Sequence, residues 1–240
     1  MLKNGADINV FDAHGNAPLH LAIKANNTKT AEALIKKEPD LSIRNSEGYT
    51  PFHLAVKQGN VGLIDLLINQ SDLTTKDNHD NTLLHSFVEG FIESLHIHGS
   101  DIKEQWKEWF KRLKQNNLNS TNKAGLTPLH IAATFKSTEM IDYFCTNGAN
   151  LDAVDAAGNT PLFLFIENAI KTNRAIFVDP IKKLATSNNV NLAPYDLQET
   201  PLSMIIKRNH PYDADVIKYL LKIGAYPPVI ANGNETPPVN

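Results

Sequence analysis

The stretch GYTPFHLAVKQGN, Gly48 to Asn60, sets a histidine on an otherwise apolar helix face. Thr50 is a good helix N-cap, because its hydroxyl accepts one of the backbone N–H groups that a first turn leaves without a partner. Pro51 follows at the first helical position, where its missing N–H costs nothing. Phe52, Leu54, Ala55 and Val56 supply the apolar side, KQGN breaks the helix, and VGLIDLLIN begins a second one with Leu63, Leu66 and Leu67 on one face. His53 is then either a chemical group, a base or a metal ligand, or part of the architecture.

The stretch recurs, which decides the question. NAPLHLA (16–22), YTPFHLA (49–55), NTLLHSF (81–87), LTPLHIA (126–132), NTPLFLF (159–165) and ETPLSMI (199–205) share one frame, starting at positions 17, 50, 82, 127, 160 and 200. The spacings are 33, 32, 45, 33 and 40, so two copies carry insertions of 12 and 7 residues on a period near 33. A second signature rides at that period: MLKNGADIN (1–9), LIKKEPDLS (34–42), LLINQSDLT (66–74), FCTNGANLD (144–152) and LLKIGAYPP (220–228). Helices this short are marginal alone in water, so each pair must stack on the next to bury its faces.

These Thr-Pro-Leu-His and Gly-Ala-Asp marks resemble the ankyrin repeat over nearly the whole chain. The resemblance implies an all-α solenoid of stacked helix-turn-helix units, with the segments between units looping out as β-hairpin-like fingers. The expected divisions form one domain. It comprises a partial repeat at 1–11, repeats near 12–44, 45–76, 77–121 (with a helical insertion), 122–154, 155–194 (with an insertion) and 195–230, and an incomplete tail at 231–240. LKNGADIN reads as the tail of a repeat whose helices are absent and GNETP (233–237) as the start of an unfinished one, so a fragment of a longer protein is expected. Asp80 and Gln198 stand where the other fingers have glycine, and Leu83 where the other first helices have proline.

His20, His53, His85 and His130 hold one position in four successive copies, and Phe163 and Ser203 hold it in the next two. A catalytic or metal-binding histidine needs particular partners, whereas this one recurs with every stacked unit and tolerates replacement. Three residues after the capping position, it can bond back to the cap as a capping-box residue does. The expectation is architecture.

No other constellation announces chemistry. His96 and His98 have neither a Cys pair nor an H-E-x-x-H pattern near them, so no metal is expected. Cys145, the single cysteine, aligns with Leu67 and reads as a small buried hydrophobe. No phosphate loop, Gly-x-Ser-x-Gly elbow or kinase signature is present, so neither cofactor nor catalytic residue is expected. A net charge of -3 and a pI near 6.3 leave no footprint for nucleic acid. No apolar run reaches a membrane span, and a lone cysteine fits a reducing cytoplasm.

The insertion in the third copy reads as its helix pair lengthened by one to two turns on each side. Ile102, Trp106, Trp109 and Leu113 fall at i, i+4, i+7 and i+11 with Phe110 beside them. This aromatic stripe either packs on its own partner helix or projects as a hairpin that offers Trp106 or Trp109 to a partner. In the fifth copy Ala175 to Val178 forms an apolar loop before Pro180, which is expected to start the second helix. That loop either tucks against a neighbouring helix or makes an exposed contact.

The resemblance also implies protein binding through the finger tips and the inner helix face, which form a concave groove. By position this marks Ala13, His14 and Asn16; Ser46, Glu47 and Tyr49; Asn78, His79 and Asn81; and Lys123, Ala124 and Leu126. At the end of the first helices it marks Lys24, Lys57 and Phe135. Tyr49, Leu126 and Phe135 stand out as apolar side chains at positions expected to face solvent. The leading expectation is a monomeric, non-enzymatic scaffold or adaptor that binds a protein partner. The irregular insertions and the Asn- and Lys-rich composition are similar to effectors that intracellular bacteria deliver into a host cytosol. The alternatives are the targeting domain of a larger enzyme whose catalytic part lies outside this chain, and a structural spacer or the cytoplasmic part of a membrane protein. Asn9 resembles the ankyrin asparagines that host hydroxylases modify.

Overall fold

The computed structural model describes residues 7–98, 105–115, 117–172, 176, 178–195, 197 and 199–226, with the side chains of 92–98 and 105 left aside. Expectations that rest on His96, His98, Ile102, Gln198 and GNETP lie outside the described residues and side chains. Among the described residues twelve helices follow one another as six pairs. They are α1 (Pro18–Lys24) and α2 (Thr28–Ile35), α3 (Pro51–Lys57) and α4 (Val61–Leu67), α5 (Leu83–His98) and α6 (Gln105–Leu113), α7 (Pro128–Thr134) and α8 (Thr138–Thr146), α9 (Pro161–Lys171) and α10 (Val178–Leu184), α11 (Pro201–Arg208) and α12 (Ala214–Lys222). The odd-numbered helices form an inner row in which each packs on the next, and each is backed by its own even-numbered helix. This is the expected solenoid. Among the described residues no helix is long and apolar enough to cross a membrane.

Counting from each frame start explains why the units stack. Two residues on, Leu19, Phe52, Leu84, Leu129, Leu162 and Leu202 are all fully buried between inner helices. Five residues on, Ala22, Ala55 and Ala132 are small enough for close approach, whereas the two copies with insertions place Phe87 and Phe165 there. Nine residues on, Asn26, Gly59, Lys136 and Asn209 take left-handed backbone and stop the helix (φ 51°, 61°, 56° and 50°). The third and fifth copies have Phe91 and Ala169 at that place. With nothing to favour a left-handed turn, α5 runs to 16 residues and α9 to 11, against 7 for α1, α3 and α7. The longer α5 crosses the end of α3 at Gly90, where a β-carbon would lie 2.2 Å from the Val56 carbonyl oxygen and 2.4 Å from that of Lys57.

The insertion of the third copy packs inward. Trp106 and Phe110 meet Tyr143 of α8 at 4.7 and 4.8 Å between ring centroids, and Phe110 meets Phe144 at 4.9 Å. Trp109 turns the other way, its indole N–H donating to the Asp65 carboxylate of α4 at 2.7 Å. Helix α6 thereby bridges the second and fourth units. Trp106 and Trp109 are buried, so the projecting-hairpin expectation is corrected. Their ring area is worth more against Tyr143 and α4 than in water. In the fifth copy Ile176 is buried in the core, which favours the tucked loop, and α10 starts at Val178, two residues before Pro180.

Candidate functional site

Each finger is a tight turn held by one side chain. The Asp12 carboxylate accepts from the backbone N–H groups of His14 and Asn16, while Asp12 and Asn16 pair through N–H to O at 3.1 Å. Asn45, Asp77, Asn122 and Asp155 repeat this arrangement. The fourth residue of each turn has positive φ, at Gly15, Gly48, Gly125 and Gly158 and equally at Asp80 (61°). Replacing glycine at 80 therefore leaves the turn unchanged, because aspartate tolerates the left-handed region. Neighbouring fingers are tied by one backbone bond each. The N–H groups of Ser46, Asn78, Lys123, Ala156 and Tyr195 donate to the carbonyls of His14, Glu47, His79, Ala124 and Ala157 at 2.8 to 3.1 Å. The sixth turn is closed by the Leu197 N–H donating to the Pro194 carbonyl, the same backbone bond that runs from Gly15 to Asp12 and from Gly48 to Asn45.

The repeated histidines anchor these fingers to the helices. Nδ1 of His53, His85 and His130 accepts from the backbone N–H of the capping Thr50, Thr82 and Thr127 and lies 2.9, 2.9 and 2.7 Å from its hydroxyl. Ala17 lacks the hydroxyl, and His20 keeps only the backbone bond. With Nδ1 accepting, Nε2 carries the proton. It donates to the carbonyl of the next finger's last residue, from His20 to Tyr49, His85 to Leu126 and His130 to Asn159, at 2.9, 2.9 and 3.1 Å. Nε2 of His53 is buried without such a bond, the Thr75 carbonyl beside it falling short of one. Burial pushes all four histidines below their ordinary pKa, His53 and His85 to about 4. They are neutral structural groups, as the recurrence implies.

The concave floor lies between the fingers and the ends of the inner helices. There, in three units, the residue before the frame start meets the residue seven after that start. Lys24 Nζ donates to Asn16 at 3.3 Å, Lys57 Nζ donates to the Tyr49 hydroxyl at 3.0 Å, and Lys207 bonds Glu199. In the third unit the seventh residue is Glu89, 3.7 Å from Lys57 Nζ. Burial pulls the Lys57 pKa down, but Tyr49 and Glu89 outweigh it and hold the amine above its ordinary value.

Between the third and fourth units the floor opens into a hollow of about 550 Å³, lined on the finger side by His79, Lys123 and Ala124 and on the helix side by Leu126, Ile131 and Phe135. Six of the residues marked from the sequence, His79, Asn81, Lys123, Ala124, Leu126 and Phe135, come together here. Phe135 is 47% exposed at the end of α7. His14 and Glu47 are exposed on the first two finger tips, and Lys57 sits half-buried next to Glu89. Tyr49 departs from expectation. Only 6% of it is exposed, because its ring lies under Lys57, 5.0 Å from the amine, so it is not an exposed anchor. Cys145 is half-buried beside the Lys183 carbonyl, with Phe144 taking the fully buried place. Glu89 and Ile131 escaped the sequence reading. Glu89 could have been found by counting seven residues from Thr82, as Lys57 lies seven from Thr50.

Comparison with known proteins agrees with this geometry. A family model described as ankyrin repeats (3 copies) matches residues 1–77, and one described as ankyrin repeats (many copies) matches residues 111–165. An ankyrin repeat protein of fowlpox virus (strain NVSL), FPV230, is 36% identical over 59 residues, which is 25% of this chain and 31% of the viral protein's length.

Proposed function

The chain belongs to the ankyrin-repeat family, and we propose that it is a protein-binding module whose concave face receives a partner at the hollow between the third and fourth units. Ankyrin repeats are a non-catalytic module that generally mediates protein–protein interaction. The observation that carries the assignment to this hollow is Phe135. An aromatic ring left half in water at the mouth of a concavity is an anchor for a partner, and such residues dominate binding energies. Leu126 and Ile131 extend the apolar floor, while Lys123, His79 and Asn81 supply a polar rim. His14, Glu47 and Lys57 continue the face towards the first unit and widen the contact. The single cysteine suits a reducing compartment, where the proposal places the module.

The test is capture of proteins from a cell lysate by the wild type and by a Phe135→Ser, Lys123→Ala double variant, with the thermal melt of both recorded. A partner retained by the wild type and lost by the equally stable variant supports the proposal. A partner bound equally by both removes the hollow from the binding surface.

A further inference from the structure

We propose that the segment received by the hollow is an extended acidic–apolar peptide, its apolar side chain on the helix wall and its carboxylate on the finger wall. This rests on the reading of the concave face as the binding surface and adds the chemistry of what binds.

The two walls differ. On the helix side Phe135, Ile131 and Leu126 line the hollow with apolar groups, and the Phe135 side chain is left about half in water. On the finger side Lys123 gives one N–H to the Asn78 carbonyl at 2.7 Å and keeps two. Among the described residues no carboxylate lies within ion-pair distance of Lys123. The hollow's own carboxylate, Glu89, is different, because the Lys57 amine stands 3.7 Å away and the Tyr49 hydroxyl holds that amine in place. The negative charge in the hollow is thus answered from within the molecule and the positive charge is not.

An acidic residue entering over the finger tips gains a charge-assisted hydrogen bond from Lys123, with the exposed His79 beside it. A basic residue would meet Lys123 first and then compete with Lys57 for Glu89. Charge complementarity of this kind selects partners by rejecting the wrong sign as well as attracting the right one. It also fixes direction, since the acid must lie away from Glu89 and the apolar residue towards Phe135.

The experiment is selection of a random dodecapeptide display library on the immobilised full chain. The enriched peptide is then labelled with fluorescein and titrated by polarisation against wild type, Phe135→Ser, Lys123→Glu and Glu89→Gln, each checked for an unchanged melt. The expected pool pairs Asp or Glu with Phe, Leu or Trp. Phe135→Ser and Lys123→Glu each weaken binding at least tenfold, Glu89→Gln leaves it equal or tighter, and replacing the peptide's acid by Lys restores binding to Lys123→Glu. A basic pool that Phe135→Ser abolishes overturns the acidic assignment and leaves the concave-face reading standing. A pool indifferent to Phe135→Ser overturns both. Failure to enrich any sequence overturns the short-segment proposal.

Discussion

Acid should unfold this solenoid through its buried histidines. His53 and His85 have pKa values of about 4 in the fold against an ordinary value of 6.5, because burial opposes the imidazolium. Protonating Nδ1 would also turn the acceptor of the Thr82 backbone N–H into a second donor facing it. Between pH 6.5 and 4 the unfolded chain therefore binds protons that the folded one refuses, and stability falls as pH falls. At pH 5 each of these two groups costs about 2 kcal/mol by linkage, so the pair removes about 4 kcal/mol relative to neutral pH. His20 and His130 shift in the same direction. For a chain of this size that is a fall in Tm of about 10 °C. The carboxylates of Asp12, Asp40 and Asp72 sit below their ordinary 3.8 through hydrogen bonds from Asn16, Ser42 and Thr74, so their loss comes at lower pH and does not overlap. The decisive variant is His85→Phe, which places at 85 the side chain that Phe163 already supplies in the fifth unit. At pH 7 it should lose about 1 to 3 kcal/mol, because the Thr82 N–H and the Leu126 carbonyl lose their partner. Its further loss on going to pH 5 should be smaller than that of wild type by about 2 kcal/mol. Urea unfolding at pH 7, 6 and 5 measures both. A wild type equally stable at pH 7 and 5, or a variant with the full wild-type pH dependence, would refute the assignment.

Three further outcomes follow from particular contacts. Gly90→Ala drives a methyl into the Val56 and Lys57 carbonyls and should destabilise by about 1 to 3 kcal/mol, read as a lower urea midpoint; an unchanged midpoint would mean that α5 does not cross α3 this closely. Lys136→Gly relieves a left-handed backbone at φ 56° and should raise stability by about 1 kcal/mol, although the exposed bond from Lys136 Nζ to Thr172 is lost; a fall in Tm would contradict the helix-stop reading. Trp109→Phe leaves the Asp65 carboxylate without its indole donor and should cost about 1 to 3 kcal/mol, with hydrogen exchange rising in both α4 and α6; a change confined to α6 would show that the bridge to the second unit is not formed.

The fold was legible because its determinants are local and repeated. A threonine cap, a proline, a histidine three residues after the cap and a left-handed stop nine residues on can each be counted along the chain. The same counting explains the two long helices, since Phe91 and Ala169 stand where a stop residue is needed. The burial of Trp106 and Trp109 was less legible. Their stripe is a helix property, but its partners, Asp65 and Tyr143, lie more than thirty residues away, and an amphipathic pattern does not say what covers it. Tyr49 was misread for a related reason. Its position faces the groove, yet a lysine eight residues later closes over the ring, a contact that only the turn between finger and helix creates. The hollow at Phe135 was half legible. His79, Lys123, Leu126 and Phe135 could be marked by position, whereas Ile131 could not, and their meeting in one concavity depends on how the third and fourth units stack.

The most direct test of the account is a photo-cross-linking benzoylphenylalanine placed at position 135 in one variant and at Leu66, exposed on the outer helix α4, in another. In lysate, position 135 should cross-link a defined partner that excess unlabelled wild type competes away, while position 66 should not. Cross-linking of the same partner from position 66 and not from 135 would contradict it and move the binding surface to the convex side.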